Sequence, residues 1–200
     1  MFVLPSAKRI LRVSGVCGVI TPLLVLTLIA IAITYSPWFS WTENALSDLG
    51  VPYKNATIPA TLFNSSLIIG GFLTLIFTVG LLEVLPRRIS TRTGAYIFAS
   101  TAFAMSAIGI FPENTGRLHL YVSIAFFTLL AISLLVMGIA VFLDGDTRWK
   151  LGLPILLAGM IAGGVWVLPW KSAAIPEMTS ALSASTISLI LGIRMLKESF

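Results

Sequence analysis

Long apolar runs separated by short polar segments dominate the pattern of this chain. Six of the runs carry no charged residue in their middle. A helix needs about 20 predominantly apolar residues to cross the hydrocarbon core of a membrane. The pattern therefore predicts six transmembrane helices, with spans at residues 13–35, 58–85, 94–111, 118–143, 151–168 and 177–196.

The connections between the second and sixth spans are short, so consecutive helices are expected to lie antiparallel beside one another. The composition agrees, because 57% of the 200 residues are hydrophobic and only 10% are charged, unlike an average soluble domain. We therefore expect an all-α membrane protein, a six-transmembrane antiparallel helix bundle that occupies residues 1–200 as one domain, without a soluble domain.

Basic residues are divided unequally between the two sides of the predicted bundle. Ten of the thirteen fall on the side that has both termini, and the other side has Lys54, Arg117 and Lys171. Because cytoplasmic loops carry an excess of Lys and Arg, both termini are predicted to be cytoplasmic and the protein integral to the cell membrane. The net charge of +5 then reflects topology and does not indicate a nucleic-acid partner.

The longest connection, about residues 36–57, is predicted to be an interfacial segment on the outer side. Ser40 and Glu43 have the spacing of a capping box, and Gly50 followed by Pro52 provides a stop. These signals predict a short interfacial helix over residues 41–49.

One face of this short helix is polar and consists of Glu43, Asn44, Ser47 and Asp48. The opposite face is apolar and is expected to lie against the bundle, which turns Ser47 and Asp48 toward protein. A buried carboxylate needs a partner, so we expect Asp48 to contact Arg117, His119 or an amide such as Asn64.

Two absences narrow the range of functions. The middle of each predicted span lacks the ionisable residues that proton relays and coupled transporters usually require. The chain has one histidine, His119, and one cysteine, Cys17, which excludes a His-rich zinc site of the kind that membrane zinc amidases use. A cation site made of carboxylates stays open, but we expect no metal and no cofactor.

Polar residues at the outer ends of several spans are expected to surround one pocket, open sideways to the outer leaflet. The candidate ligand-binding residues are Glu43, Asn44, Asn64, Ser65, Asn114, Arg117, Trp170 and Lys171. The candidate catalytic residues, if the protein is an enzyme, are Ser47, Asp48, Glu113 and His119. Each also has an ordinary structural interpretation as a helix cap, a headgroup anchor or a packing amide.

Four features of the sequence resemble one family. They are the stretch NALSDLG at residues 44–50, Phe63 and Asn64 entering the second span, Gly109 to Pro112, and His119. These features are similar to the domain-of-unknown-function 998 family of six-span archaeal and bacterial membrane proteins, which implies a fold and no reaction. The Ser47-Asp48-x-Gly50 core is also similar, more distantly, to the eukaryotic DRAM and GPI-lipid-remodelling membrane family, which implies lipid handling at the non-cytoplasmic leaflet.

Three functions follow from these observations. The first is a pocket that binds membrane lipid in a non-catalytic or scaffold role, with lipid as the partner. The alternative is a lipid-modifying enzyme with headgroup or ester/phosphate chemistry, in which Asp48, Glu113 and His119 provide general acid/base catalysis and Ser47 is a possible nucleophile. The third is a transporter, which the charge-free spans disfavour.

Overall fold

The computed structural model describes residues 5–52, 57–144 and 149–199. Over these residues it contains helices and turns and no strand. Six long helices make up most of the described chain. They are α1 (Pro5–Thr34), α2 (Thr57–Val84), α3 (Ile89–Ile110), α4 (Arg117–Phe142), α5 (Trp149–Gly164) and α6 (Ala174–Ser199).

All six helices are long and apolar enough to cross a membrane, so the protein is an integral membrane protein and the predicted all-α, six-span architecture is confirmed. The predicted spans differ from the observed helices mostly at the helix ends. Helices α1 and α3 begin before the predicted apolar spans, because a helix continues through polar residues into the membrane interface. Helix α5 is shorter than its apolar run, since regular α-helix ends at Gly164 and a single 3₁₀ turn, Val165–Val167, follows.

Each long helix packs against the next one in the chain, and α6 packs against α1, which closes the bundle into a ring. The contact between α5 and α6 is the least extensive of the six. We call the side with residues 35–52, 111–116 and 165–173 the loop side, and the opposite side the terminal side. Two of the thirteen basic residues counted above to assign topology, Lys54 and Arg148, lie outside the described residues.

Close packing in the terminal-side half of the bundle depends on glycine. A Cβ at Gly138 of α4 would collide with the backbone nitrogen of Leu156 in α5, and a Cβ at Gly152 of α5 would collide with the backbone of Phe142 in α4. Small residues let helix backbones approach where lipid provides no hydrophobic driving force. Gly159 of α5 likewise lies against the backbone of Leu135 in α4.

The predicted interfacial helix over residues 41–49 is only partly correct. Residues 41–43 form a turn, and helical structure is limited to a 3₁₀ segment, Leu46–Gly50. The reason lies in two side chains that bond to the local backbone in place of a helical ladder. The Ser40 amide donates to Asn44 Oδ1 at 2.9 Å, and the Ala45 amide donates to Asp48 Oδ2 at 3.1 Å.

Candidate functional site

The 3₁₀ segment Leu46–Gly50 is buried against the loop side of the bundle. Leu49 is 0% exposed, and Ser47 and Asp48 are 7% and 6% exposed. The expectation that Ser47 and Asp48 turn toward protein is therefore confirmed. The physical reason is the one predicted, because the two leucines of the segment enter an apolar cluster with residues of α1, α2, α3 and α6.

Two long-range hydrogen bonds attach this segment to the bundle. Asn64 of α2 donates from Nδ2 to the Gly50 carbonyl at 2.8 Å, and a Cβ at Gly50 would collide with the Asn64 side chain. On the other side, the Leu46 amide donates to Glu177 Oε2 of α6 at 2.6 Å. The NALSDLG stretch thus ties α2 to α6, although these residues are far apart in sequence.

Glu177 is a carboxylate in the first turn of α6 that is only 8% exposed. Besides the Leu46 amide, the backbone of Ser47 also hydrogen-bonds to it. Glu113 and Asp48 are close enough for their carboxylates to interact electrostatically with Glu177. The Ala174 amide at the start of α6 donates to the Asn44 carbonyl at 3.1 Å, so the loop and the helix start are joined by several bonds.

His119 lies at the start of α4 and is 6% exposed. Its Nδ1 is 2.8 Å from the carbonyl oxygen of Phe111, and its Nε2 is 3.2 Å from Ser123 Oγ, one helical turn further along α4. A carbonyl can only accept, so Nδ1 carries the proton in this bond. In the neutral imidazole Nε2 is then the acceptor, and the Ser123 hydroxyl donates to it.

Ser47, Glu113, His119 and Glu177 line one end of a cavity of about 700 Å³. One face of α4 forms its long wall, through positions 116, 119, 120, 123, 124, 127, 128, 131 and 132. Positions three and four apart share a face of a helix. The remaining lining residues are Ala45, Ser47, Glu113, Gly163, Trp166, Ala173 and Glu177.

The cavity exists because α5 is short. Helix α5 has 16 residues and α4 has 26, a difference of about 15 Å at 1.5 Å per residue. The last close approach between the two helices is at Gly163, whose added Cβ would lie 3.2 Å from Ala131 Cβ. From Ala131 toward the loop side, α4 continues past the end of α5 at Gly164.

Trp166, which follows α5, partly covers the resulting gap. Its Nε1 donates to Ser180 Oγ of α6 at 3.1 Å, and that hydroxyl donates to the Ala162 carbonyl at 2.9 Å. Its ring also contacts Phe127 of α4, with a centroid distance of 4.8 Å. An indole fixed on both sides forms a rigid wall for the cavity.

Three of the four candidate catalytic residues line this cavity, namely Ser47, Glu113 and His119. Asp48 is not among the lining residues in the described part of the chain, and its carboxylate accepts from the Ala45 amide and from Asn44 Nδ2, the latter at 3.3 Å. An amide was among the partners expected for Asp48. The amide found here belongs to Asn44 in the same segment, whereas Asn64 bonds to Gly50.

None of the eight candidate ligand-binding residues is among the cavity-lining residues in the described part of the chain. Glu43 and Lys171 are exposed to solvent with 3.8 Å between carboxylate and ammonium, and Asn114 and Arg117 are also exposed. Trp170 donates to the Val165 carbonyl. Ser65 donates to the Thr61 carbonyl. Their roles in ligand binding stay predictions, as do those of Asn44 and Asn64.

Glu177 and Ser123 line the cavity but were not among the candidates. Ser123 could have been found from its spacing, because it lies four residues after His119 on the same helix. Glu177 carried a weaker signal, since an acid in the first turn of a helix is the usual complement to the helix dipole. Its burial results from a contact with Leu46, 131 residues away, which no local pattern encodes.

Among the described residues, no group of three or more His, Cys, Asp and Glu side chains could bind a metal ion. The residues of the cavity lining that carry a carboxyl, imidazole or hydroxyl group are Glu113, Glu177, His119, Ser47, Ser123 and Thr128. The part of the cavity nearer the terminal side is lined by apolar residues and by Thr128, whose hydroxyl is its polar group.

Comparison with known proteins gives one family. The model of the family described as "Protein of unknown function (DUF998)" matches residues 19–194. Neither the curated proteins nor the solved structures compared with the chain show a match.

Proposed function

Because the chain belongs to the DUF998 family, whose description states no activity, we propose a function from the cavity itself: it binds a membrane lipid. The hydrocarbon tail lies along α4, and the headgroup lies among Ser47, Glu113, His119 and Glu177. The observation that supports this proposal is the division of one cavity into a polar end and a long apolar part.

The dimensions of the cavity suit such a ligand. From Gly116 to Ala131 the wall formed by α4 is about 22 Å long at 1.5 Å per residue, comparable to an extended acyl chain. The volume of about 700 Å³ lies within the range of roughly 300–1,000 Å³ that is usual for small-molecule sites.

Lipid can reach the cavity from the side. Three apolar residues of its α4 wall are strongly exposed, with 54% for Leu120, 55% for Ile124 and 42% for Ile132. In a membrane-spanning bundle such side chains face hydrocarbon. A tail can therefore enter between α4 and α6 without passing through water.

We further propose that the terminal side is cytoplasmic in the cell membrane, which assigns the cavity to the outer leaflet. The support is the distribution of basic residues, which favours the side where Lys8, Arg9 and Arg12 precede the membrane. The pair formed by Arg88 and Asp144 also lies on that side. A reporter fused after Arg92 should read as cytoplasmic, and one in the loop near Lys54 as external.

One substitution on α4 tests lipid binding, and a second substitution on the same helix is its matched control. Ile124 and Ile139 are both exposed isoleucines of α4, at 55% and 47%, but only Ile124 lines the cavity. Ile124→Trp should fill the cavity and reduce lipid retained after purification by about tenfold, the equivalent of 1.4 kcal/mol. Ile139→Trp should leave it unchanged.

Native mass spectrometry of protein released from nanodiscs measures the retained lipid directly. Equal retention by the two variants, or none by the wild-type protein, would contradict the proposal. Gel filtration and thermal unfolding of each variant check that the bundle is intact.

A further inference from the structure

Ser123 differs from most hydroxyls in the helices of this protein. Helical serine and threonine side chains usually bond back to a carbonyl three or four residues earlier, and many here do so, such as Thr61, Ser133 and Ser183. Ser123 Oγ instead lies 3.2 Å from Nε2 of His119. Both residues line the cavity.

We infer that Ser123 and His119 form a nucleophile and general-base pair that cleaves the acyl ester of a lipid bound in the cavity. This inference rests on the proposed lipid-binding function and adds a reaction and a substrate class to it. It also replaces Ser47, the nucleophile considered from sequence, with a residue whose hydrogen bond to the imidazole is present.

The hydrogen bond from His119 to Phe111 gives the imidazole the tautomer that the reaction needs. With the proton on Nδ1 donated to the Phe111 carbonyl, Nε2 has a free lone pair directed at Ser123. A nucleophile bonded to a base, with the base oriented by a third group, is the arrangement that activates serine in unrelated enzymes. The third group here is a backbone carbonyl.

The position of Ser123 along the cavity favours the ester group of a lipid as the group that is cleaved. Ser123 lies seven residues after Gly116, which is about 10 Å along α4 at 1.5 Å per residue. It therefore lies between the polar end of the cavity and the apolar stretch that begins at Ile124 and Phe127. In an acylated lipid the ester linkage occupies the same position, between the headgroup and the hydrocarbon chain.

The reaction is balanced with water as the only co-reactant. Ser123 Oγ attacks the ester carbonyl carbon while its proton passes to His119 Nε2, and the proton then goes to the alcohol oxygen as the carbon–oxygen bond breaks. Water, activated by the same Nε2, adds to the acyl-serine and releases a fatty acid. Glu113 and Glu177 line the same cavity as the imidazole.

A fluorophosphonate probe tests the nucleophile, because it reacts covalently with activated serines. Purified full-length protein in nanodiscs should be labelled, and peptide mass spectrometry should locate the adduct on Ser123. Ser123→Ala should abolish labelling. His119→Gln should slow it by about a hundredfold or more, the usual contribution of a general base. Ser183→Ala removes a hydroxyl that bonds to Thr179 and should have no effect.

Lipid retention, measured on the same preparations, separates this inference from the function on which it rests. Wild-type protein that retains lipid but is not labelled, or is labelled at Ser47 or another residue, overturns the catalytic pair and leaves lipid binding intact. Protein that retains no lipid contradicts the proposed function. Gel filtration and thermal unfolding show whether Ser123→Ala and His119→Gln are folded, and a variant that unfolds like the wild-type protein but is not labelled supports the pair.

Discussion

Both halves of α4 are rich in apolar residues, but their surroundings differ. In the terminal-side half, Gly138 contacts the backbone of α5 and Phe142 contacts Gly152. In the loop-side half, Leu120 and Ile124 face a cavity and are more than half exposed. An apolar sequence therefore does not by itself specify a packed interface, because the length of the neighbouring helix decides whether there is anything to pack against.

The two halves also depend on different interactions. Backbone contact between α4 and α5 stabilises the terminal-side half. The loop-side half instead borders a cavity next to the 3₁₀ segment Leu46–Gly50, which hydrogen bonds attach to α2 and α6. A defect in the first half should weaken the whole bundle, whereas a defect in the second should loosen the cavity.

The largest effect is expected for a methyl group added at the α4–α5 contact. Gly138→Ala would place a Cβ against the backbone of Leu156, which can move only if the helices separate. We expect a loss of about 3 kcal/mol in the free energy of unfolding, as for overpacked cores. Denaturation by SDS in mixed micelles measures it.

Gly164→Ala is the matched control, because nothing lies within 4 Å of a Cβ added there. Its effect should stay within about 1 kcal/mol, which is the helix-propensity difference between Gly and Ala. Similar losses for both variants would mean that the two halves of α4 do not differ in packing as described.

A smaller effect is expected for the hydrogen bond at Glu177. Glu177→Ala leaves the buried Leu46 amide without its acceptor, which typically costs about 2 kcal/mol. It should also reduce lipid retention, because the 3₁₀ segment borders the cavity. Glu83→Ala, which removes an exposed carboxylate paired with Arg87, should change stability by no more than about 0.5 kcal/mol.

Unchanged stability in Glu177→Ala would show that the 3₁₀ segment does not depend on α6. Lower stability with unchanged lipid retention would show that attachment of the 3₁₀ segment to α6 stabilises the protein but does not determine the shape of the cavity.

The smallest effect concerns the partner of Asp48. Its carboxylate is 3.3 Å from Asn44 Nδ2, and residues in contact show coupling of about 0.5–3 kcal/mol in double-mutant cycles. We expect Asp48→Ala and Asn44→Ala to be coupled at the lower end of that range. Asp48→Ala and Arg117→Ala should be additive within about 0.5 kcal/mol, because Arg117 is exposed. Coupling to Arg117 without coupling to Asn44 would overturn this assignment.

Hydropathy determined the six spans, because the requirement for an apolar helix in the membrane is local to each segment. The apolar face opposite Ser47 and Asp48 likewise predicted that these two residues turn toward protein. The same local signals overestimated the helix over residues 41–49. Side-chain bonds from Asn44 and Asp48 to the backbone compete with helix formation, and their outcome depends on how Leu46 and Leu49 are buried.

The composition of the cavity was decided by tertiary structure alone. Glu177 belongs to it because α6 begins on the loop side next to Leu46, and such a contact depends on helix order around the ring. The cavity itself results from α5 ending at Gly164, before its apolar run ends. His119 and Ser123 could be paired from their spacing on α4, but the tautomer of His119 required the carbonyl of Phe111, which only the fold brings within 2.8 Å.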